Sequence, residues 1–203
     1  MKKIIIANKK RTGLRTMLDL DGTISFWEKS VAKICNIDIN DKKVREKLKN
    51  GKRMETFVGG DDKMWPLIDK EGEKFWTNME ILPWGRRLYN LLKETGDYFC
   101  FLTSPSNNPI CASGKIKWLK KHFGENFKDF LIGRNKHLCA SPTSILIDDN
   151  KDKIKKFKQF GGHVFQWPNP FKLIDGDVDI NDIIKELKDF IKEIKNDNRF
   201  ISK

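Results

Sequence analysis

Short apolar runs recur along the chain, and each ends in polar residues. Thr16-Met17-Leu18-Asp19-Leu20 leads into Asp21-Gly22, Tyr98-Phe99-Cys100-Phe101-Leu102 into Thr103-Ser104-Pro105, and Ser144-Ile145-Leu146-Ile147 into Asp148-Asp149-Asn150. Compact, continuous hydrophobicity of this kind fits strands buried on both faces of a parallel sheet. His163-Val164-Phe165-Gln166-Trp167 reads as a further strand. Helical spacing fills the intervals. Gly85 to Glu94 carries Leu88, Leu91 and Leu92 and stops before Gly96; Lys115 to Phe123 carries Ile116, Trp118, Leu119 and Phe123 and stops at Gly124. Lys151 to Phe160 precedes Gly161-Gly162, and Ile180 to Ile194 places Ile183, Ile184, Leu187, Phe190, Ile191 and Ile194 on one side. The alternation predicts an α/β fold with a mostly parallel, right-handed sheet. Ligands of such sheets lie beyond the carboxyl ends of the strands, so three polar strand ends point to one shared site.

Residues 26–82 break this rhythm. They are polar, rich in Lys, Asp and Glu, and interspersed with Phe26, Trp27, Phe57, Trp65, Phe75 and Trp76. The pattern is helical, with a turn at Gly59-Gly60 and an interruption at Pro66. This stretch is expected to be a small helical cap inserted after the first strand, leaving 1–25 and 83–203 as the α/β core.

Composition narrows the class. A chain of 203 residues with 38% hydrophobic and 33% charged residues has room for one domain with a sizeable core. No apolar run reaches the roughly 20 residues of a membrane span, so no membrane partner is expected. The apolar run that starts at Ile4 ends at Asn8 and gives way to Lys9-Lys10-Arg11. That is too soon for the roughly 7–15 residue core of a signal peptide, and the segment reads as a short strand or basic arm of a cytoplasmic protein. Cys35, Cys100, Cys111 and Cys139 lie far apart with no C-x-x-C spacing, which argues against structural zinc and for a reducing compartment. Cys100, inside an apolar run, is expected to be a buried thiol.

The net charge of +12 is mostly lysine on helical segments such as Lys151 to Lys158, the signature of a solvated face. A positive field also draws in anionic substrates. It permits a phosphorylated small molecule or a polynucleotide and does not choose between them. A homodimer is equally admitted.

The chemistry-bearing residues sit at the strand ends. Hydrolysis of a phosphate monoester needs an in-line nucleophile, neutralisation of the phosphate oxygens and a proton for the leaving alkoxide. Asp19 and Asp21, one residue apart, can divide the work: Asp19 attacks phosphorus, and Asp21 protonates the leaving oxygen and then activates water. Gly22 and Thr23 allow a sharp turn that presents backbone N–H groups to phosphate. A Mg²⁺ ion, a hard cation, would take Asp19, the backbone carbonyl of Asp21 and Asp148, with Asp149 orienting from behind. An isolated Asp-x-Asp-Gly is an ordinary surface turn. At the end of a buried strand, alongside Thr-Ser and Asp-Asp at two others, it is a catalytic centre.

These residues resemble the haloacid dehalogenase superfamily of phosphatases. Asp19-Leu20-Asp21-Gly22-Thr23 is similar to its first motif, Thr103 to its second, a downstream lysine to its third and Asp148-Asp149 to its fourth. The resemblance implies a three-layer Rossmann-like core, an aspartyl-phosphate on Asp19, acid/base work by Asp21 and Mg²⁺ as cofactor. A narrower resemblance, to the 5′(3′)-deoxyribonucleotidases, rests on Phe101-Leu102-Thr103-Ser104-Pro105, on Lys115 to Gly124 and on Ile145-Leu146-Ile147-Asp148-Asp149. It implies phosphate contacts from Thr103, Ser104 and Lys115, and from the later basic pair Arg134 and Lys136, with Lys136 as the third-motif lysine. It also implies base stacking by Trp27 and by Phe75 and Trp76 of the cap.

The expected activity is therefore Mg²⁺-dependent hydrolysis of (deoxy)nucleoside 5′-monophosphates in the cytoplasm. Two alternatives stay open at this point: a phosphatase of another phosphorylated metabolite or of a polynucleotide end, and a basic nucleic-acid-binding protein on the same fold. The compact cap favours a small substrate, and the filled catalytic positions argue against a mere binding module.

Overall fold

A computed structural model describes residues 13–95 and 98–197. The expected basic arm at the N-terminus and the helix stop at Gly96 lie outside the described residues. Strands β1 (Arg15–Leu18), β2 (Tyr98–Thr103), β3 (Phe130–Ile132), β4 (Ser144–Asp148) and β5 (His163–Gln166) form one sheet in the order β3-β2-β1-β4-β5. All four pairings are parallel; Met17 pairs with Cys100 on one side and Leu146 on the other. The chain moves outward from β1 to β2 and β3, then returns to the opposite side of β1 for β4 and β5. That reversal places a topological switch point beside the carboxyl end of β1.

Side chains alternate across the sheet with the two-residue period of a strand. Met17, Leu102 and Leu146 face one way and pack on Phe157 of helix α8 (Lys151–Gln159). Leu18, Phe101, Ile145 and Ile147 face the other way into the large buried cluster. That face is covered by α6 (Gly85–Thr95), α7 (Ile110–Phe123) and α10 (Ile180–Asn196), through Leu88 and Leu92, Trp118 and Leu119, and Leu187 and Ile191. The result is the three-layer α/β core. Asn150 caps α8 by accepting from the Asp152 and Lys153 N–H groups, and Asp179 caps α10 by accepting from Asn181 N–H.

Between β1 and β2 lie α1 (Trp27–Ile34), α2 (Lys42–Lys49), α3 (Glu55–Val58), α4 (Asp61–Glu71) and α5 (Glu73–Thr77). Their buried residues Val31, Leu48, Met64, Ile68, Phe75 and Trp76, with Met54 just before α3, belong to the same apolar cluster as the core. Helix α9 (Pro170–Ile174) adds Phe171, which meets Phe26 edge-on at 5.6 Å.

Three local expectations change. Pro66 does not interrupt a helix: α4 runs through it. The bond it forfeits would have gone to Asp62, in the exposed first turn, where water serves instead. Helix α7 begins at Ile110 rather than near Lys115, because the small residues Ala112, Ser113 and Gly114 hide the helical pattern. Cys100 is only half-buried, since α8 leaves that face of β2 partly open; Cys111 is the fully buried thiol.

Candidate active site

Residues 20–25, just beyond β1, make a tight turn. Ile24 and Ser25 N–H groups return to the Leu20 carbonyl, and Gly22 N–H donates to the Ser25 carbonyl at 3.0 Å. Gly22 has φ +72°, a left-handed conformation that suits glycine. Space reinforces the requirement, because a Cβ at this position would lie 2.5 Å from Asp149 Oδ2. The turn is held from the far side by Ile24, whose carbonyl accepts from Leu82 N–H, and by Trp84, whose indole donates to the Thr23 carbonyl.

This geometry brings two carboxylate–lysine groups together beyond the strand ends. Asp19 follows β1 and Asp148 ends β4; Asp19 N–H donates to the Ile147 carbonyl at 2.9 Å, so the two strand ends are in register. Lys136, in a short 3₁₀ turn (Lys136–Cys139), is buried and donates to Asp19 Oδ1 at 2.5 Å and to Asp148 Oδ2 at 2.7 Å. Burial alone would lower the Lys136 pKa, but the two carboxylates outweigh it and hold the ammonium charged. Asp148 is pushed up to about 6 by burial and by Asp19, with Lys136 opposing.

On the other side, Lys115 is fully buried in α7. It donates to Asp21 Oδ2 at 2.5 Å, Thr103 Oγ1 at 2.9 Å and the Ser104 carbonyl at 2.8 Å, with its Nζ 5.3 Å from the centre of the Trp76 ring. The second Asp21 oxygen accepts from Ser25 Oγ at 3.1 Å. Both lysines therefore reach the site, from opposite flanks. The hydroxyl of Ser104 turns to the Gly133 carbonyl at 3.4 Å. Arg134 stays at the exposed rim, where its guanidinium donates to Asn107, and does not join the buried cluster.

Asp19, Asp148 and Asp149 each offer a carboxylate oxygen, and these oxygens lie within 4.8 Å of one another. Three hard oxygen donors at this spacing suit a divalent cation of the Mg²⁺ type. Asp149, expected only to orient from behind, thus offers an oxygen in the same group. Its pKa lies well above the ordinary value because of burial and the neighbouring Asp19, Glu28 and Asp148 carboxylates. Crowded acids that raise one another's pKa are a site short of positive charge, which a cation supplies.

The aromatic residues divide. Trp27 opens α1, half-exposed, with its ring 6.4 Å from that of Trp65. Phe75 and Trp76 do not fit the base-stacking expectation. They are only 4% and 3% exposed, packed edge to face at 4.8 Å, and Trp76 closes against Gly114 of α7. Their rings serve the junction of α5 and α7 and present no free face. Glu28 was not among the expected residues. Its pKa rises to about 7 through burial, with Asp21 adding to the rise and its own backbone N–H opposing it. Only its place in the first turn of a helix beside the Asp21 loop could have pointed to it.

The family model for 5′ nucleotidase, deoxy (pyrimidine), cytosolic type C protein matches residues 14–173. The chain belongs to this family. It is a phosphoric monoester hydrolase of the nucleotidase type. Solved structures share the fold at low identity. A protein assigned as a phosphoglycolate phosphatase from Lactobacillus delbrueckii subsp. bulgaricus superposes with a TM-score of 0.53 at 14% identity, covering 87% of this chain and 97% of its own. A phosphatase predicted for Clostridium acetobutylicum gives a TM-score of 0.53 at 14% identity, covering 87% of this chain and 98% of its own. No curated protein matches. Among the described residues, no helix is long and apolar enough to cross a membrane.

Proposed function

We propose that this nucleotidase hydrolyses (deoxy)nucleoside 5′-monophosphates in the cytoplasm, with Mg²⁺ as cofactor and an aspartyl-phosphate on Asp19. The observation that carries the reading is the convergence of Asp19, Asp21, Thr103, Lys115, Lys136 and Asp148 at the switch point of the sheet. Asp19 attacks phosphorus in line with the leaving 5′ oxygen, and the P–O bond to the nucleoside breaks. Asp21 gives its proton to that oxygen. It then takes a proton from the water that attacks the phosphoaspartate, releasing inorganic phosphate and restoring Asp19. Ser25 and Lys115 fix the two Asp21 oxygens, so the acid is oriented before substrate arrives. Thr103, the Ser104 segment, Lys115 and Lys136 surround the phosphoryl oxygens, with Arg134 waiting at the rim. Asp19, Asp148 and Asp149, with the Asp21 carbonyl, would hold Mg²⁺, which when bound neutralises charge on the phosphoryl group.

The helices between β1 and β2 act as the cap, and their compactness favours a small substrate. Trp27 supplies a half-exposed ring on which a planar base can stack. The test is Mg²⁺-dependent phosphate release from deoxynucleoside monophosphates, nucleoside monophosphates and sugar phosphates, with Asp19→Asn as control. Release from nucleotides by the wild type alone supports the reading. Release from sugar phosphates only would leave the mechanism and remove the base-stacking role. Silence on every monophosphate, with salt-sensitive duplex binding, would replace an enzyme with a binding protein.

A further inference from the structure

Glu28 is a carboxylate whose surroundings are acidic. It lies in the first turn of α1; Asp21 is the charged group acting on it, and it acts in turn on Asp149 together with Asp19 and Asp148, with Lys136 opposing. Its Oε2 is inaccessible to solvent and has no hydrogen-bond partner. An acidic residue in the first turn of a helix is common, since the unpaired N–H groups there attract it. That role accounts for one oxygen turned to the Glu28 backbone N–H. It leaves the second, buried oxygen unexplained, and a buried acceptor without a donor is costly.

Gly22 shows where the Glu28 carboxylate sits. A Cβ at Gly22 would stand 2.5 Å from Asp149 Oδ2 and 3.4 Å from Glu28 Oε1. The two carboxylates thus converge on one point across a glycine, and any side chain there would part them. The loop and helix that carry them are fixed. Ser25 and Phe26 are tied to the segment leading into α6, through the Ser25–Ile81 bridge and a 2.8 Å bond from Phe26 N–H to the Glu80 carbonyl.

Convergent, acceptor-only carboxylates lack a donor of protons or a cation. A Mg²⁺-type ion retains several waters, and each water carries two protons that need acceptors. We propose that Glu28 is a positioning residue for the divalent cation, its Oε2 accepting a hydrogen bond from a water on the ion, beside Asp149. This rests on the reading that Asp19, Asp148 and Asp149 hold that ion. Partners that orient metal ligands and waters commonly change affinity by about 10–100-fold when removed.

The test uses the whole protein and Mn²⁺ as probe, titrated by electron paramagnetic resonance. Glu28→Gln keeps the shape of the side chain and removes its charge. It is expected to weaken Mn²⁺ at least tenfold while raising the melting temperature of the metal-free protein, because an unpartnered buried charge has gone. Glu28→Asp, shorter but still anionic, should fall between. Affinity for Mn²⁺ unchanged within about twofold would overturn the proposal, as would a metal-free Glu28→Gln protein less stable than the wild type, which would mark a purely structural residue. Wild type that binds Mn²⁺ through Glu28 yet spares every nucleotide would sink the substrate reading and leave this one standing. Wild type that binds no Mn²⁺ would end both the cation reading and the role of Glu28.

Discussion

The active site has two halves, each built on a buried lysine, and they are charged differently. Lys136 lies between two buried carboxylates, Asp19 and Asp148, with Asp149 alongside. Lys115 holds one carboxylate, that of Asp21, whose side chain is 29% exposed, together with a neutral hydroxyl and a carbonyl. The first half carries surplus negative charge, which a divalent cation would offset. The second is balanced as it stands and spends its lysine on orienting an acid. On the proposed mechanism, binding and proton transfer are thus separated across a single strand end.

The sharpest way to break this comparison is to remove each lysine in turn. Lys136→Met leaves Asp19 and Asp148 facing each other without a counter-charge. Breaking a buried pair costs about 3–5 kcal/mol, to be read from urea unfolding of the metal-free protein. Millimolar Mg²⁺ should recover part of the loss. Lys115→Met should cost about 1–3 kcal/mol, with no recovery by Mg²⁺, because Asp21 is partly solvated and keeps Ser25. Equal losses, or equal recoveries, would show that the halves do not differ in charge balance.

The pH dependence of stability tests the same surplus without mutation. Glu28 is raised from 4.5 to about 7 and Asp148 from 3.8 to about 6 by burial and neighbouring carboxylates. Between those values the unfolded chain has already lost protons that the folded protein still holds, so folding stability falls as pH rises. The metal-free protein is expected to melt lower at pH about 7.5 than at pH about 5, and Mg²⁺ should raise the melting temperature more at the higher pH. A metal-free melting temperature that climbs across this window would contradict the surplus.

These charges also mark what was legible in the sequence. Asp19, Asp21, Thr103 and Asp148 end runs so uniformly apolar that their strands and shared sheet follow from pattern alone. Lys115 and Lys136 are legible by resemblance, but not their opposite flanks, because that depends on which side of β1 each connection passes. Strand β3 escaped notice: it is three residues long, at the sheet edge, with Leu131 47% exposed. Phe75 and Trp76 misled because an aromatic in a polar segment looks alike whether it faces a ligand or a neighbouring helix. Only their burial, with Trp76 set close against Gly114, decides between them.

That contact leads to the next test, on the half built around Lys115. Gly114 precedes Lys115, and a Cβ there would lie 2.5 Å from Trp76 Cβ and 3.1 Å from the Glu73 carbonyl. Gly114→Ala forces α7 away from α5 and carries Lys115 with it. Overpacking of this kind costs about 1–3 kcal/mol. Phosphate release should fall because Asp21 loses its fixed partner, while Mn²⁺ affinity, which belongs to the other half, should hold. A variant that loses metal affinity instead would show the two halves to be one mechanical unit.

The smallest effect is expected where the cap meets the core on its other flank. Asp175, just after α9, accepts ion pairs from Arg45 at 2.5 Å and Lys49 at 2.6 Å, and Lys49 also reaches Asp177 at 2.9 Å. Asp177 is 48% exposed, and the Arg45, Lys49 and Asp175 side chains keep 17–24% of their surface in solvent, so salt still reaches the latch and it contributes about 1 kcal/mol. Its apolar neighbours do more: the Leu48 carbonyl accepts from Asn169, and Leu48 and Phe171 are buried in the shared cluster. Asp175→Asn should therefore lower the melting temperature slightly, by an amount that disappears in about 1 M salt, where the screening length is near 3 Å. Turnover should not change, since neither half of the site depends on these charges. If Asp175→Asn altered the Michaelis constant for nucleotide, the latch would be setting the position of the cap that carries Trp27. The balance of charge within the site would then no longer suffice to describe it.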